Sequence, residues 1–294
     1  MSAKIISILN MKGGVGKTTL SCNISLELAN RNNKVLVIDA DPQFNTTQTL
    51  FQYYYNDVKK YNELEEANKT LRSMFIDNTP RGMDALNKEE SIIHSFEDSY
   101  EVKGLDLIPG DLRLIIDIST QSLDKLKSFF NNKNLREKYD YIIIDLPPTW
   151  SQLTNIFLDI SNYYIIPTKL DEFSTIGITL LDQLIGEKAS ANPGQLMCLG
   201  VVYMMLNPTD AMNGISTKQR PYKSTIEDYF KKMSRNVQSN VSNFDTVFYY
   251  TQPISTESAI YRNHIKRYPE LQERVSDLVD EIISRIAKGD DLYE

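Results

Sequence analysis

Cysteine is nearly absent from this chain: two residues in 294, Cys22 and Cys198. Neither sits in a CxxC pair or a Cys/His cluster, and histidine itself occurs only twice. That excludes a disulfide framework, a zinc site and an iron–sulfur site, all of which need clustered thiolates or imidazoles. Both thiols are expected to pack as small apolar groups. Long hydrophobic runs are missing as well. The first apolar stretch, Ile5-Ile6-Ser7-Ile8-Leu9, is far too short for a membrane span of roughly 20 residues, and no cleavage-site pattern follows it. There is no Pro/Gly/Ser-rich linker, internal repeat or low-complexity tract, so one domain over residues 1–294 is expected. Positive charge is not in excess either: 32 basic against 39 acidic residues give a net −7. Any contact with DNA must therefore come from a local basic patch. The expected location is cytoplasmic.

Apolar runs too short for a membrane are long enough for buried strands. Lys4 to Asn10, Lys34 to Asp39, Leu105 to Ile108, Tyr141 to Asp145, Tyr163 to Ile166, Leu196 to Leu206 and Val247 to Tyr250 read as strands. Amphipathic stretches separate most of them: Thr18 to Asn30, then 112–130, 151–160, 174–188, 223–233 and 269–287. Apolar strands alternating with helices predict an α/β fold, a doubly wound, mostly parallel sheet with helices on both faces. The polar region 53–103, with Tyr53-Tyr54-Tyr55, reads as surface helices inserted between two strands.

The decisive segment is Lys12-Gly-Gly-Val-Gly-Lys-Thr-Thr19. It follows a strand and opens a helix, the setting a phosphate-binding loop requires. Gly13, Gly14 and Gly16, with Val15 between them, let backbone N–H groups turn toward one anion. The helix that follows adds its positive end. Lys17 reaches β- and γ-phosphate oxygens, and Thr18, followed by Thr19, offers a hydroxyl to Mg²⁺. The general pattern G-x-x-x-x-G-K-[ST] has glycine where this chain has Met11, and Lys12 stands beside it instead. A second lysine is not needed to hold one nucleotide in cis.

Asn10-Met-Lys-Gly-Gly-Val-Gly-Lys-Thr-Thr19 resembles the deviant Walker A motif of the ParA/MinD ATPases. Asp39-Ala-Asp-Pro-Gln43 resembles that family's next motif, and Ile142-Ile-Ile-Asp-Leu-Pro-Pro148 its Walker B segment. The resemblance runs in order through Leu105-Asp-Leu-Ile-Pro109 to the region of Pro253. It implies a P-loop ATPase that binds ATP with Mg²⁺ and hydrolyses it slowly as a sandwich homodimer. Lys12 would cross to the other subunit's phosphates and stabilise charge there, much as an arginine finger does; read alone, it is also a solvated loop lysine. Asp41, just past a strand end where ligand crevices form, would orient the attacking water; Asp41-Pro42 also reads as a capped turn. Asp39 would lie near the metal shell. Asp145 ends an apolar run where a carboxylate is hard to explain by packing, and Mg²⁺ through a water is its natural partner. Asn207, followed by Pro208, and Pro253 resemble the family's adenine contacts, and both are equally good turn residues.

Between Met212 and Val237, six basic residues face only Glu227 and Asp228, leaving +4 in an acidic protein. These are Lys218, Arg220, Lys223, Lys231, Lys232 and Arg235, and Arg262, Lys266 and Arg267 form a second cluster. Such asymmetry suits non-specific DNA binding, and the resemblance implies a nucleoid-associated dimer; a solvated basic helix face reads the same way. The arginine-containing stretch that often follows the family's last-strand proline is replaced here by Ile254-Ser-Thr-Glu-Ser258. With no helix-turn-helix segment ahead of the P-loop, operator reading is expected to fall to a ParB-like centromere-binding partner. The alternative is a MinD-like membrane-associated ATPase. Against it, the amphipathic stretch Arg274 to Ile286 carries Asp277, Asp280 and Glu281 where a membrane-surface helix would be basic. That stretch is expected to pack on the core. An iron-protein or metal-chaperone relative would need cysteine ligands, and a tyrosine kinase of the same branch would end in a tyrosine cluster; neither feature is present.

Overall fold

The computed structural model describes residues 2–57, 59–76, 92–96, 102–114, 121–191, 196–207, 215–236 and 241–290. Seven strands form one sheet: β1 (Lys4–Ile8), β2 (Val35–Asp39), β3 (His94–Ser95), β4 (Leu105–Ile108), β5 (Tyr141–Asp145), β6 (Tyr163–Thr168) and β7 (Met197–Tyr203). Their order is β3-β4-β2-β5-β1-β6-β7. β2 pairs in parallel with both β4 and β5, and β6 with β7, while β3 runs antiparallel to β4. This is the doubly wound, mostly parallel α/β sheet expected. The apolar runs explain it: every residue of β2 and β6 is buried, which requires cover on both faces.

Contacts gather into two compact units, residues 1–7 with 25–161 and residues 8–24 with 162–294. In the first, α2 (Asn45–Tyr55), α3 (Lys60–Glu66), α4 (Ser122–Asn132), α5 (Leu135–Lys138) and α6 (Gln152–Ile160) connect the strands. Ser151 caps α6 by accepting from the Thr154 N–H at 3.3 Å. The region 53–103, read as inserted surface helices, supplies the end of α2 and all of α3, but it also supplies the strand β3 and is not all surface. Tyr54 is buried and stacks on Phe96 with ring centroids 4.1 Å apart, and Phe51 stacks on His94 at 5.1 Å. This aromatic cluster brings β3 to the sheet edge. Burial there, aided by Lys60, pushes the His94 imidazole down to about 4.

The second unit holds α7 (Glu172–Ala191), α8 (Arg220–Asn236), α9 (Gln252–Thr256) and α10 (Pro269–Asp290). The first helix, α1 (Lys17–Asn30), begins in this unit and ends in the other. Along α10, Val275, Leu278, Val279, Ile282 and Ile286 are all buried, so this amphipathic helix packs on the core as expected. No helix among the described residues is long and apolar enough to cross a membrane. Cys22 and Cys198 are both buried, and burial pushes the Cys198 thiol up to about 12.

The expected strand Val247 to Tyr250 is a correction. Residues 241–250 touch the sheet only at isolated bridges, Val201↔Asn243 and Leu206↔Tyr249. Glu281 on α10 accepts from the Asp245 and Thr246 N–H groups, both at 2.8 Å, which separates the two bridges. Val247 to Tyr250 does bond alongside the end of β7: the Phe248 N–H meets Tyr203 O and the Tyr250 N–H meets Leu206 O, both at 2.9 Å. A regular strand is not formed because Met205 in the facing segment, at φ 56°, leaves the extended conformation. The expected helix 112–130 is seen as α4, and its residues 115–120 lie outside the described residues.

Leu278 has no exposed surface, whereas Ile283 on the same helix is 36% exposed. Leu278→Ala is expected to lower unfolding stability by about 2–5 kcal/mol, and Ile283→Ala by about 0.5 kcal/mol or less. Paired urea denaturation curves check this, and equal losses would contradict the packing described for α10.

Candidate functional site

The phosphate-binding segment leaves β1 and turns through Gly14 and Gly16, with φ of 67° and 98°. Side chains rarely adopt these angles, so glycine is required at both. A Cβ on Gly16 would also come within 2.8 Å of the Met204 side chain. At Gly13 and Gly14 an added Cβ would meet nothing within 4 Å, as in a cradle whose mouth faces open space. Val15 is buried beneath the turn. Asn10 fixes the loop's entry: its amide donates to Pro167 O at 2.7 Å and its carbonyl accepts from the Lys12 N–H at 2.9 Å.

Lys17 is 7% exposed, and its ammonium donates to Lys12 O at 3.1 Å, folding back over the loop. Thr18 and Thr19 are half-buried in the first turn of α1. Lys12 is neither a freely solvated lysine nor extended outward. Its ammonium forms an ion pair with Asp171 at 2.7 Å. Asp171 is also the N-cap of α7, accepting from the Ser174 N–H at 2.8 Å, a contribution of about 0.5–2 kcal/mol. Burial acts to raise the Asp171 carboxyl, but hydrogen bonds from Lys12 and Ser174 hold it below the usual carboxylate range.

The first unit brings the three acidic candidates together. Parallel register pairs Asp39 with Asp145 at the ends of β2 and β5, and both side chains are buried. Thr46 donates its hydroxyl to Asp145 Oδ2 at 2.7 Å. Thr47 donates its N–H and hydroxyl to Asp39 Oδ2, both at 2.7 Å. Asp39 Oδ1 is buried without a hydrogen-bond partner. Burial, reinforced by the charge of Asp145, pushes the Asp39 carboxyl well above its ordinary range. Asp41 is 7% exposed, and its Oδ1 accepts from the Gln43 N–H at 2.9 Å. The capped turn is thus present, with a carboxylate oxygen left over. Asp41 lines a cavity of about 510 Å³ together with Pro42, Gln43, Pro147 and Pro148.

A closed chain of contacts braces this loop. Phe44, in the left-handed region at φ 42°, stacks on Tyr61 with centroids 4.7 Å apart. Tyr61 donates its hydroxyl to Gly110 O at 3.1 Å, and the Gly110 N–H donates to Thr47 Oγ1 at 2.9 Å. A Cβ on Gly110 would come within 2.8 Å of Phe44 Cβ and 3.0 Å of Asp39 Cγ.

A divalent cation fits the acidic pair on chemical grounds. Two buried carboxylates that repel each other, one with an unpartnered oxygen, are relieved by positive charge. Mg²⁺ is bound through one or two carboxylates, with water and phosphate completing its shell, and the Asp39–Asp145 pair offers that number.

The adenine candidates are not brought onto one cavity. Pro253 is buried at the start of α9 and lines a cavity of about 530 Å³ with Tyr249, Gln252, Arg267 and Tyr268. Asn207 is exposed and does not line it; its N–H donates to Gln219 Oε1 at 3.2 Å. Pro208 lies outside the described residues.

The basic candidates sit on or beside α8. Lys218, Arg220 and Lys232 are exposed. Lys223 pairs with Glu227 at 3.5 Å and Lys231 with Asp228 at 3.0 Å, so part of the counted excess is neutralised along the helix. Arg235 lies in α8, but its side chain is outside the described residues. Sequence reasoning missed Thr46, Thr47 and Asp171. Thr46-Thr47 could have been found as hydroxyls three and four residues beyond the acidic motif; nothing near Asp171 in the sequence announces Lys12.

The electrostatic reading has a direct test. A carboxyl raised in the folded state binds a proton there that the unfolded state has lost, so stability falls as pH rises between the two pKa values. Asp39→Asn removes that penalty. Its nucleotide-free melting temperature is expected to exceed the wild type at neutral pH, and the gap to close as pH falls into the ordinary carboxylate range. A gap independent of pH would refute the buried-charge assignment.

Comparison with known proteins places this geometry in a family. The family model described as an AAA domain, AAA_31, matches residues 3–194. The sporulation initiation inhibitor protein Soj of Bacillus subtilis is 30% identical over 207 residues, covering 69% of this chain and 73% of Soj. The structure of a putative plasmid partition protein of Borrelia burgdorferi bound to AMPPNP shares 20% identity at a TM-score of 0.63, covering 98% of this chain and 99% of that one. The structure of pNOB8 ParA bound to nonspecific DNA also shares 20% identity, at a TM-score of 0.65 with 97% and 99% covered. The two structures share the fold, and the sequence match carries the kinship: the chain belongs to the ParA/Soj family of partition ATPases.

Proposed function

We propose that this protein is an ATP-dependent DNA partition switch: a Mg-ATP-bound homodimer that binds DNA non-specifically and hydrolyses ATP when a ParB-like centromere-binding partner stimulates it. The observation that carries the reading is the buried Asp39–Asp145 pair of the first unit, with an oxygen of Asp39 left unpartnered; the glycine cradle of the second unit agrees with it. A carboxylate pair that needs a cation and a loop of backbone donors are the two parts that a metal-bound nucleoside triphosphate uses. The AMPPNP-bound and DNA-bound solved structures support the nucleotide and the DNA.

In this reading backbone N–H groups of residues 13–19 hold the phosphates, and Lys17 leaves Lys12 O to meet β- and γ-oxygens. Thr18, Asp39 and Asp145 hold Mg²⁺. When bound, the cation supplies the Lewis-acid charge that neutralises the β- and γ-phosphates. Lys12 serves the second subunit's nucleotide. Asp41 keeps Oδ1 on the Gln43 N–H and uses Oδ2 to orient the attacking water. Of the two adenine candidates, Pro253, which lines a cavity, is assigned to the base; Asn207 lies outside that cavity. Lys218, Arg220, Lys223, Lys231, Lys232 and Arg235 supply the DNA-facing charge, with Lys218, Arg220 and Lys232 foremost because no acidic side chain pairs with them among the described residues. The protein would then be nucleoid-associated in the cytoplasm.

Binding of a non-specific DNA duplex should require ATP, vanish with ADP, and be lost in Lys12→Ala. Affinity should fall steeply with salt, by about 0.9 log units per log unit of salt for each phosphate contacted. Reversing charge at Lys218, Arg220 and Lys223 together should abolish binding while leaving basal hydrolysis intact. Salt-sensitive binding that survives the triple reversal would move the DNA surface elsewhere. Asp41→Ala should retain ATP binding and lose most hydrolysis, and a full rate would remove Asp41 from the chemistry.

A further inference from the structure

An ammonium carries three N–H donors and no acceptor. All three donors of Lys12 have partners within its own chain: Asp171 Oδ1 and Oδ2, each at 2.7 Å, and Ser174 Oγ at 3.3 Å. The ammonium also stands 5.7 Å from the centroid of the Phe173 ring. The two ion-paired side chains are 24% and 39% exposed, so water reaches the pair and the pair can open. Lys169 lies close enough for its ammonium to be disfavoured by burial and by Lys12. Asp171 is therefore the counter-ion of a locally cationic corner. Its cap bond to the Ser174 N–H does not depend on Lys12, so α7 keeps its N-terminus whether or not the lysine leaves.

We propose that Asp171 is a positioning residue that holds Lys12 in cis in the lone protomer. Seating Lys12 on a second copy's nucleotide then requires exchanging one carboxylate for phosphate oxygens. The inference rests on the function proposed above, in which Lys12 acts in trans. It adds a threshold to that function. A triphosphate with Mg²⁺ competes with Asp171 for the same donors, while a diphosphate, lacking the γ-oxygens, leaves them on Asp171. The ion pair thus biases the protein toward the separate protomer until ATP is present on the other side.

Asp171→Asn separates the two roles of this residue, since Asn caps a helix about as well as Asp but carries no charge for Lys12. With ATP and Mg²⁺, its dimerisation measured by sedimentation equilibrium should be about two- to thirtyfold tighter than wild type, because each dimer opens two such partly exposed ion pairs. Asp171→Glu, which restores the charge, should return toward wild type. In a Lys12→Ala background, Asp171→Asn should change nothing. Unaltered or weaker dimerisation of Asp171→Asn, beside a Lys12→Ala variant that fails to dimerise, would overturn the latch and leave the function standing. Lys12→Ala that dimerises and hydrolyses like wild type would remove the trans role of Lys12, and the latch with it.

Discussion

Two carboxylates set side by side in the interior impose the main constraint on this molecule. Parallel pairing of β2 with β5 puts Asp39 opposite Asp145, a juxtaposition that burial makes unfavourable unless the charges are shared out. The chain answers with hydroxyls and amides. Thr46 serves one acid and Thr47 the other, which fixes where α2 begins and how the loop before it must run. One oxygen of Asp39 is still left without a partner. The first unit is thus built around a charge deficit, and a cation is the simplest thing that completes it.

The second unit shows the opposite arrangement. Its cradle offers backbone donors, and its two lysines rest on acceptors of their own chain. Lys17 lies on the carbonyl of Lys12, and Lys12 lies on Asp171. Both positive groups are therefore held close to the loop by acceptors of their own chain. The contacts differ in kind: Lys17 meets a neutral carbonyl, while Lys12 meets both oxygens of a carboxylate with a hydroxyl beside it, and charge-assisted bonds are the stronger class.

What could be read from the sequence follows from how local each signal is. The phosphate loop, Asp39 and Asp145 were legible because covalent spacing alone puts glycines, a lysine and strand-end acids in a recognisable order. The parallel strands were legible because most are continuous apolar runs; β3, the polar pair His94–Ser95 inside the region read as surface helices, was not. Thr46, Thr47 and Asp171 were not, since each matters only through a partner 8 to 159 residues away in sequence. The Val247 to Tyr250 strand is reduced to an isolated bridge for a similar reason: its composition suits a strand, but the segment it faces turns out of the extended conformation at Met205. Counting charges along α8 overstated its basicity because Glu227 and Asp228 fall at the spacing that pairs them with lysines on the same face.

Phe44 carries a consequence that reaches beyond the phosphate site. A non-glycine residue in the left-handed region stores on the order of 1–2 kcal/mol, and here the stack on Tyr61 keeps it there. The loop bearing Asp41 is in effect a drawn spring, and its catch is an aromatic ring on α3, in a part of the chain with no nucleotide motif. The shape of that loop therefore depends on a ring from outside the acidic motif, and losing the ring would be felt at Phe44 first.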